Sequence, residues 1–96
     1  MTSSKKLRII CYDISDNRIR RRVARVLEEE ATRVQFSVFE ARLNATATKR
    51  LLSRVSSQLE ANDSIRIYTI GKTGERYCTV QGDGIPVDKN VSHWLF

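Results

Sequence analysis

Along the chain, apolar residues alternate with polar ones, then recur at helical spacing, then alternate again, and these changes of period outline the elements. From Leu7 to Ile14 the residues are mostly branched, with Leu7, Ile9, Cys11 and Asp13 on one side of an extended backbone and Arg8, Ile10, Tyr12 and Ile14 on the other. That predicts a strand covered on both faces. Ser15 or Asp16 can then cap a helix running to about Glu30, because Ile19, Val23, Val26 and Leu27 recur at helical intervals with the arginines largely opposite. Residues 33–43 place Val34, Phe36 and Val38 on one side and Gln35, Ser37, Phe39, Ala41 and Leu43 on the other. Both sides carry apolar groups, and no Asn-Gly or Asp-Gly pair chooses between one long strand and a tight hairpin. Thr46 or Thr48 can start a second helix with Leu51, Leu52, Val55 and Leu59 as its buried stripe, and Asn62 and Asp63 supply the turn that ends it. The segment DSIRIYTIG then alternates as a strand.

Strand, helix, strand or hairpin, helix, strand is an order that closes most simply as an antiparallel sheet with both helices on one face. The expected class is therefore α+β, ferredoxin-like. Beyond Arg76 the pattern suggests a strand at Tyr77 to Val80, a turn at Gly82 to Gly84 and an apolar ending of Trp94, Leu95 and Phe96. Such a tail docks on a partner subunit or covers its own sheet edge, which predicts an oligomer. Trp94 and Phe96 read either as anchors within a dimer or as the contact surface for a larger partner.

Ninety-six residues make one domain, spanning 1–96, with a core at about 7–71 and a tail at about 76–96. The start lacks a signal-peptide core, and no apolar run approaches the roughly 20 residues of a membrane helix. Cys11 and Cys78 show no metal-ligand spacing and are expected as free thiols, Cys11 in the core, which fits a prokaryotic cytoplasm. The formal net charge of +6 matters most through its placement: Arg18, Arg20, Arg21, Arg22 and Arg25 all precede Glu28, Glu29 and Glu30, and Arg33 follows. Arginine at this density suits phosphate, because the guanidinium fork matches phosphate oxygens. Nucleic acid is the leading expectation for a partner. The plainer alternative is a solvated helix face with ion pairs worth about 0.3–0.5 kcal/mol each.

No strand carries the glycine and aromatic spacing of an RNA-recognition motif, although a base could still stack on Phe36 or Phe39. No P-loop, dinucleotide fingerprint, zinc spacing or Ser-His-Asp arrangement is present, and lone His93 reads as a surface residue. Asp13 is the carboxylate of interest. Near the end of its strand, it can cap the turn into the first helix. Alternatively it can hold a hard cation with water, substrate phosphate and a second aspartate from a two-fold related copy.

The stretches CYDISDNRIRRRVARVLEE, RVQFSVFEARL and DSIRIYTI, in this order and at this spacing, resemble the CRISPR-associated protein 2 family, the small subunit of the machinery that inserts new spacers into CRISPR arrays. The likeness covers roughly residues 7 to 71. It implies a ferredoxin-like homodimer whose C-terminal strand crosses to the partner. It also implies two roles: a metal-dependent nuclease cutting single-stranded RNA or double-stranded DNA, and a noncatalytic bridge between dimers of the integrase, CRISPR-associated protein 1. Carried onto this chain, the catalytic and metal aspartate is Asp13, holding Mg²⁺ or Mn²⁺, with Tyr12 beside it. The basic nucleic-acid positions fall on Arg20, Arg22 and Arg33, and the aromatic on Phe39. A toxin-like ribonuclease of the same fold is the remaining alternative.

Overall fold

In a computed structural model, residues 4–82 are described, and they form β1 (Lys6–Asp13), α1 (Asn17–Glu28), β2 (Thr32–Gln35), β3 (Val38–Leu43), α2 (Ala45–Ser56), β4 (Ser64–Ile70) and the short α3 (Lys72–Glu75). The sheet order is β2-β3-β1-β4, with every neighbouring pair antiparallel. Each long helix therefore returns the chain past one intervening strand, which is the ferredoxin-like arrangement. Among the described residues, no helix is long and apolar enough to cross a membrane.

Residues 33–43 form a hairpin that reverses at Phe36 and Ser37. Neither turn residue has a positive φ, the only such non-glycine residue described being Asn62, so this is not one of the primed turns that match strand twist. A register shift between Arg33 and Gln35 absorbs the mismatch. The turn is held instead from β1: the Tyr12 backbone N–H donates to the Ser37 carbonyl at 3.2 Å, and the Tyr12 hydroxyl donates to the Phe36 carbonyl at 3.2 Å.

Cross-strand partners share a sheet face, so the register assigns the sides. Ile10 and Tyr12 of β1, with Phe39, Ala41 and Leu43 of β3, meet Ile19, Val23, Ala24 and Leu27 of α1 and Leu51 and Val55 of α2. Both long helices thus cover one face, as expected. The helix stripes differ in detail: Val26 is only half-buried while Ala24 is buried, and Leu52 is exposed. The first helix also ends two residues early, at Glu28.

The other face carries the rows Leu7–Ile70–Arg42, Ile9–Tyr68–Glu40 and Cys11–Arg66–Val38, and ends at Asp13–Ser64. One end is covered by α3, whose Glu75 forms an ion pair with Arg42. At Gly74 a Cβ would lie 3.1 Å from Ile70 Cγ2, so the missing side chain allows this close seat. Ile9 and Cys11 are only half-buried and Asp13 is exposed. A strand covered on both faces is thus corrected to one sealed face and one partly open face, and Cys11 lies outside the core. Residues Tyr77 to Val80, expected as a strand, follow α3 without strand pairing within this single chain. The turn at Gly82 to Gly84 extends beyond the described residues, and His93, Trp94, Leu95 and Phe96 lie wholly outside them.

Helix starts follow local chemistry. Asp16 caps α1, its Oδ1 accepting from the backbone N–H of Arg18 at 2.8 Å and of Ile19 at 3.1 Å. These bonds, the Ile19 bond foremost, hold its carboxyl below its ordinary value of 3.8. The cap of α2 is Asn44, accepting from Ala47 N–H at 2.8 Å, not Thr46 or Thr48. Thr48 instead turns its hydroxyl back onto the Asn44 carbonyl. A group whose folded pKa is depressed stabilises above its unfolded pKa and loses that contribution as pH falls through the folded value. Thermal melts against pH should therefore show a steeper acid loss for the native chain than for Asp16→Asn, which caps without a charge. Phe39→Ala, emptying a fully buried site, should cost about 3–5 kcal/mol in a denaturant titration.

Candidate nucleic-acid interface

Between α1 and the β2–β3 hairpin runs a groove of about 380 Å³, lined by Tyr12, Asn17, Arg20, Arg21, Ala24, Arg25, Glu28, Arg33 and Phe36. The α1 contribution follows from helical spacing: Asn17, Arg21, Ala24 or Arg25, and Glu28 succeed one another at three or four residues and form one stripe. Four arginines face one glutamate there, so the groove favours anions.

Two of its cations are positioned by identifiable contacts. Arg20 Nη1 donates to the Ile14 carbonyl at 2.8 Å and the Ser15 carbonyl at 3.0 Å, which fastens the side chain to the loop between β1 and α1. Its guanidinium lies 6.0 Å from the Phe36 ring centroid. The Arg33 guanidinium lies 5.9 Å from the same ring and 5.2 Å from Phe39. Such ring contact costs a guanidinium none of its charge and occupies none of its in-plane donors, although Arg20 Nη1 is already taken by the two carbonyls.

The structure brings together only some of the residues singled out from the sequence. Arg20 and Arg33 meet at the groove. Arg22 does not join them: two residues from Arg20, it is turned about the helix toward α2 and donates to Gln58 Oε1 at 3.3 Å. Phe39 is corrected from a nucleic-acid contact to a core residue, since its exposure is 0%. Tyr12 is likewise buried, its ring 6.2 Å from Phe39, with its hydroxyl committed to the hairpin turn. Of the aromatics lining the groove, Phe36, 71% exposed, is the one open to solvent. Arg21 and Arg25 were missed as site residues. The steps of four residues from Asn17 to Arg21 and from Arg21 to Arg25 were the available signal.

Asp13 stands apart from the groove. It lies on the partly open sheet face, while Tyr12 and α1 lie on the other side of the strand. Among the described residues, no three His, Cys, Asp or Glu side chains gather where they could hold a metal ion.

Comparison with known proteins agrees with this architecture. The family described as CRISPR associated protein Cas2 matches residues 6–76. The chain belongs to that family. A Synechocystis relative named CRISPR-associated endoribonuclease Cas2 2 is 33% identical over 76 residues, covering 77% of this chain and 82% of its own. The crystal structure of Streptococcus pyogenes Cas2 superposes with a TM-score of 0.69 at 27% identity, covering 79% of this chain and 99% of that one. A chain of a partial Cas6-RT-Cas1–Cas2 complex gives a TM-score of 0.66 at 30% identity, covering 88% and 99%. The α+β ferredoxin-like fold is thus that of Cas2 structures, and the groove and Asp13 sit on a Cas2 framework.

The division of the arginines has a measurable consequence. Arg33→Gln should elute from phosphocellulose at clearly lower salt than the native protein. Arg22→Gln should shift less, because it removes a charge that lies away from the groove.

Proposed function

We propose that this protein acts in CRISPR spacer acquisition as a homodimer that binds RNA or double-stranded DNA through its phosphates and hydrolyses a phosphodiester slowly. The groove carries the binding reading: Arg20, Arg21, Arg25 and Arg33 converge where a single carboxylate, Glu28, opposes them. The relative named as an endoribonuclease supports hydrolysis, and the likeness to a chain of a complex containing Cas1 supports an integrase partner.

Dimerisation is argued from the open sheet face. Ile9, Cys11, Val38 and Tyr68 form a half-covered apolar patch there, which a second copy would seal. Asp13 ends that face, so a two-fold axis nearby would bring two carboxylates together. Such a pair, with water and substrate oxygens, suits Mg²⁺ or Mn²⁺. When bound, the ion would polarise a phosphate oxygen and acidify a water. The chain's own residues bind and orient: Arg20, fixed to the β1–α1 loop just beyond Asp13, holds phosphate at that end of the groove, and Arg33 holds it beside Phe36. The Tyr12 hydroxyl is occupied by the Phe36 carbonyl and supplies no general base, which is why slow turnover is expected.

A noncatalytic duplex platform is the second reading, favoured by the placement of Asp13 and the arginines on opposite sides of the sheet. Both readings require binding dominated by phosphates. With eight groove arginines in a dimer, the slope of log affinity against log salt should be about −5 to −7 if 6 to 8 phosphates are neutralised. Cleavage of labelled RNA and duplex DNA separates them. Metal-dependent cleavage that chelator and Asp13→Asn both abolish, with affinity retained, supports the nuclease. Binding without cleavage by either protein leaves the platform.

A further inference from the structure

Phe36 combines two properties that seldom coincide. Its ring is 71% exposed, yet its backbone is held firmly, because Tyr12 bonds both its own carbonyl and that of Ser37. A lone exposed aromatic needs no explanation. This one projects into a groove whose walls carry Arg20, Arg21, Arg25 and Arg33, with two of those guanidinium groups about 6 Å from its ring. The groove volume of about 380 Å³ falls within the roughly 300–1,000 Å³ range of small-ligand sites.

A flat apolar ring among fixed guanidinium forks matches a nucleotide, which has a π-face to stack and an adjacent phosphate to pair. The bases of an intact duplex are already stacked on one another and cannot lie on this ring. An unpaired base can.

We propose that Phe36 is a stacking platform for one unpaired base of a single-stranded nucleic acid, with the flanking phosphates held by Arg20, Arg21, Arg25 and Arg33. The assignment rests on reading the groove as a nucleic-acid interface, and it adds strandedness to that reading: single strands, overhangs and splayed ends gain a contact that duplex lacks. Because Phe36 stands outside the core, its replacement leaves the packing of Phe39 and Tyr12 in place.

The test uses the full chain as native protein, Phe36→Ala and Phe36→Tyr, titrated at one salt concentration with a single-stranded oligonucleotide, a copy carrying 2-aminopurine and a blunt duplex. Phe36→Ala should weaken single-strand binding about ten-fold and lose the 2-aminopurine quenching seen with the native chain, while Phe36→Tyr retains both. Duplex affinity should fall by clearly less, because there the lost ring removes only its contacts to Arg20 and Arg33. Unchanged single-strand affinity in Phe36→Ala, or equal losses on single strand and duplex, would overturn the stacking platform. So would a lower oligomer mass for Phe36→Ala in sedimentation, which would assign the ring to a protein interface. If the native chain bound neither strand form, the groove reading itself would fall. Binding of single strand and duplex with equal affinity by the native protein and Phe36→Ala would remove Phe36 alone.

Discussion

The double bond from Tyr12 to the β2–β3 turn is the constraint on which the candidate site depends. Tyr12 belongs to a central strand and is buried against Phe39, so it is a rigid reference point. Its amide and hydroxyl hold the Ser37 and Phe36 carbonyls, which sets where the hairpin reverses. Once the reversal is set, alternation along β3 follows. Phe39, Ala41 and Leu43 fall inward, Phe36 is left outside, and Arg33 comes to rest near both aromatic rings. One phenol thereby links the core to the shape of the groove.

The sheet separates two kinds of surface. On the helix side the apolar face is sealed, and what remains accessible is the basic edge where α1 meets the hairpin. On the other side the apolar rows are only partly covered, and the one exposed carboxylate of β1 sits at their end. Carboxylates elsewhere are largely engaged: Glu29 pairs with Arg54 at 3.0 Å, where the hydrogen bond and the charge of that arginine lower the Glu29 pKa, and Glu75 pairs with Arg42. Few anions are thus left to neutralise the groove arginines. The positive balance of the chain is expressed locally rather than as a diffuse field.

This division bears on how a small Cas2-family chain can have more than one role. The basic groove is completed by the residues of one chain. Asp13 lies on the opposite sheet face, and among the described residues no three His, Cys, Asp or Glu side chains gather there. The groove is therefore a property of the protomer, set apart by the sheet from the carboxylate of Asp13.

Much of the fold was legible in the order of residues. The apolar spacing of Ile19, Val23 and Leu27 could be satisfied only by a helix lying on a sheet, and the alternation of DSIRIYTIG only by a strand, because these periods are local geometry. The Asp16 cap was legible for the same reason, being a bond between residues two or three apart. The basic character of α1 was legible too, being carried by the order of its arginines and glutamates. The hairpin was not legible, because its turn lacks a glycine or asparagine signal and is held by a residue 24 positions away. Phe36 and Phe39 are chemically identical and three residues apart, so no local rule could send one into solvent and the other to 0% exposure. The same holds for Arg20 and Arg22, whose separation into groove and flank depends on where α1 rests against β2 and α2. Residue periodicity determined the elements and their faces. Only long-range packing decided which of two identical side chains is buried and which lines the groove.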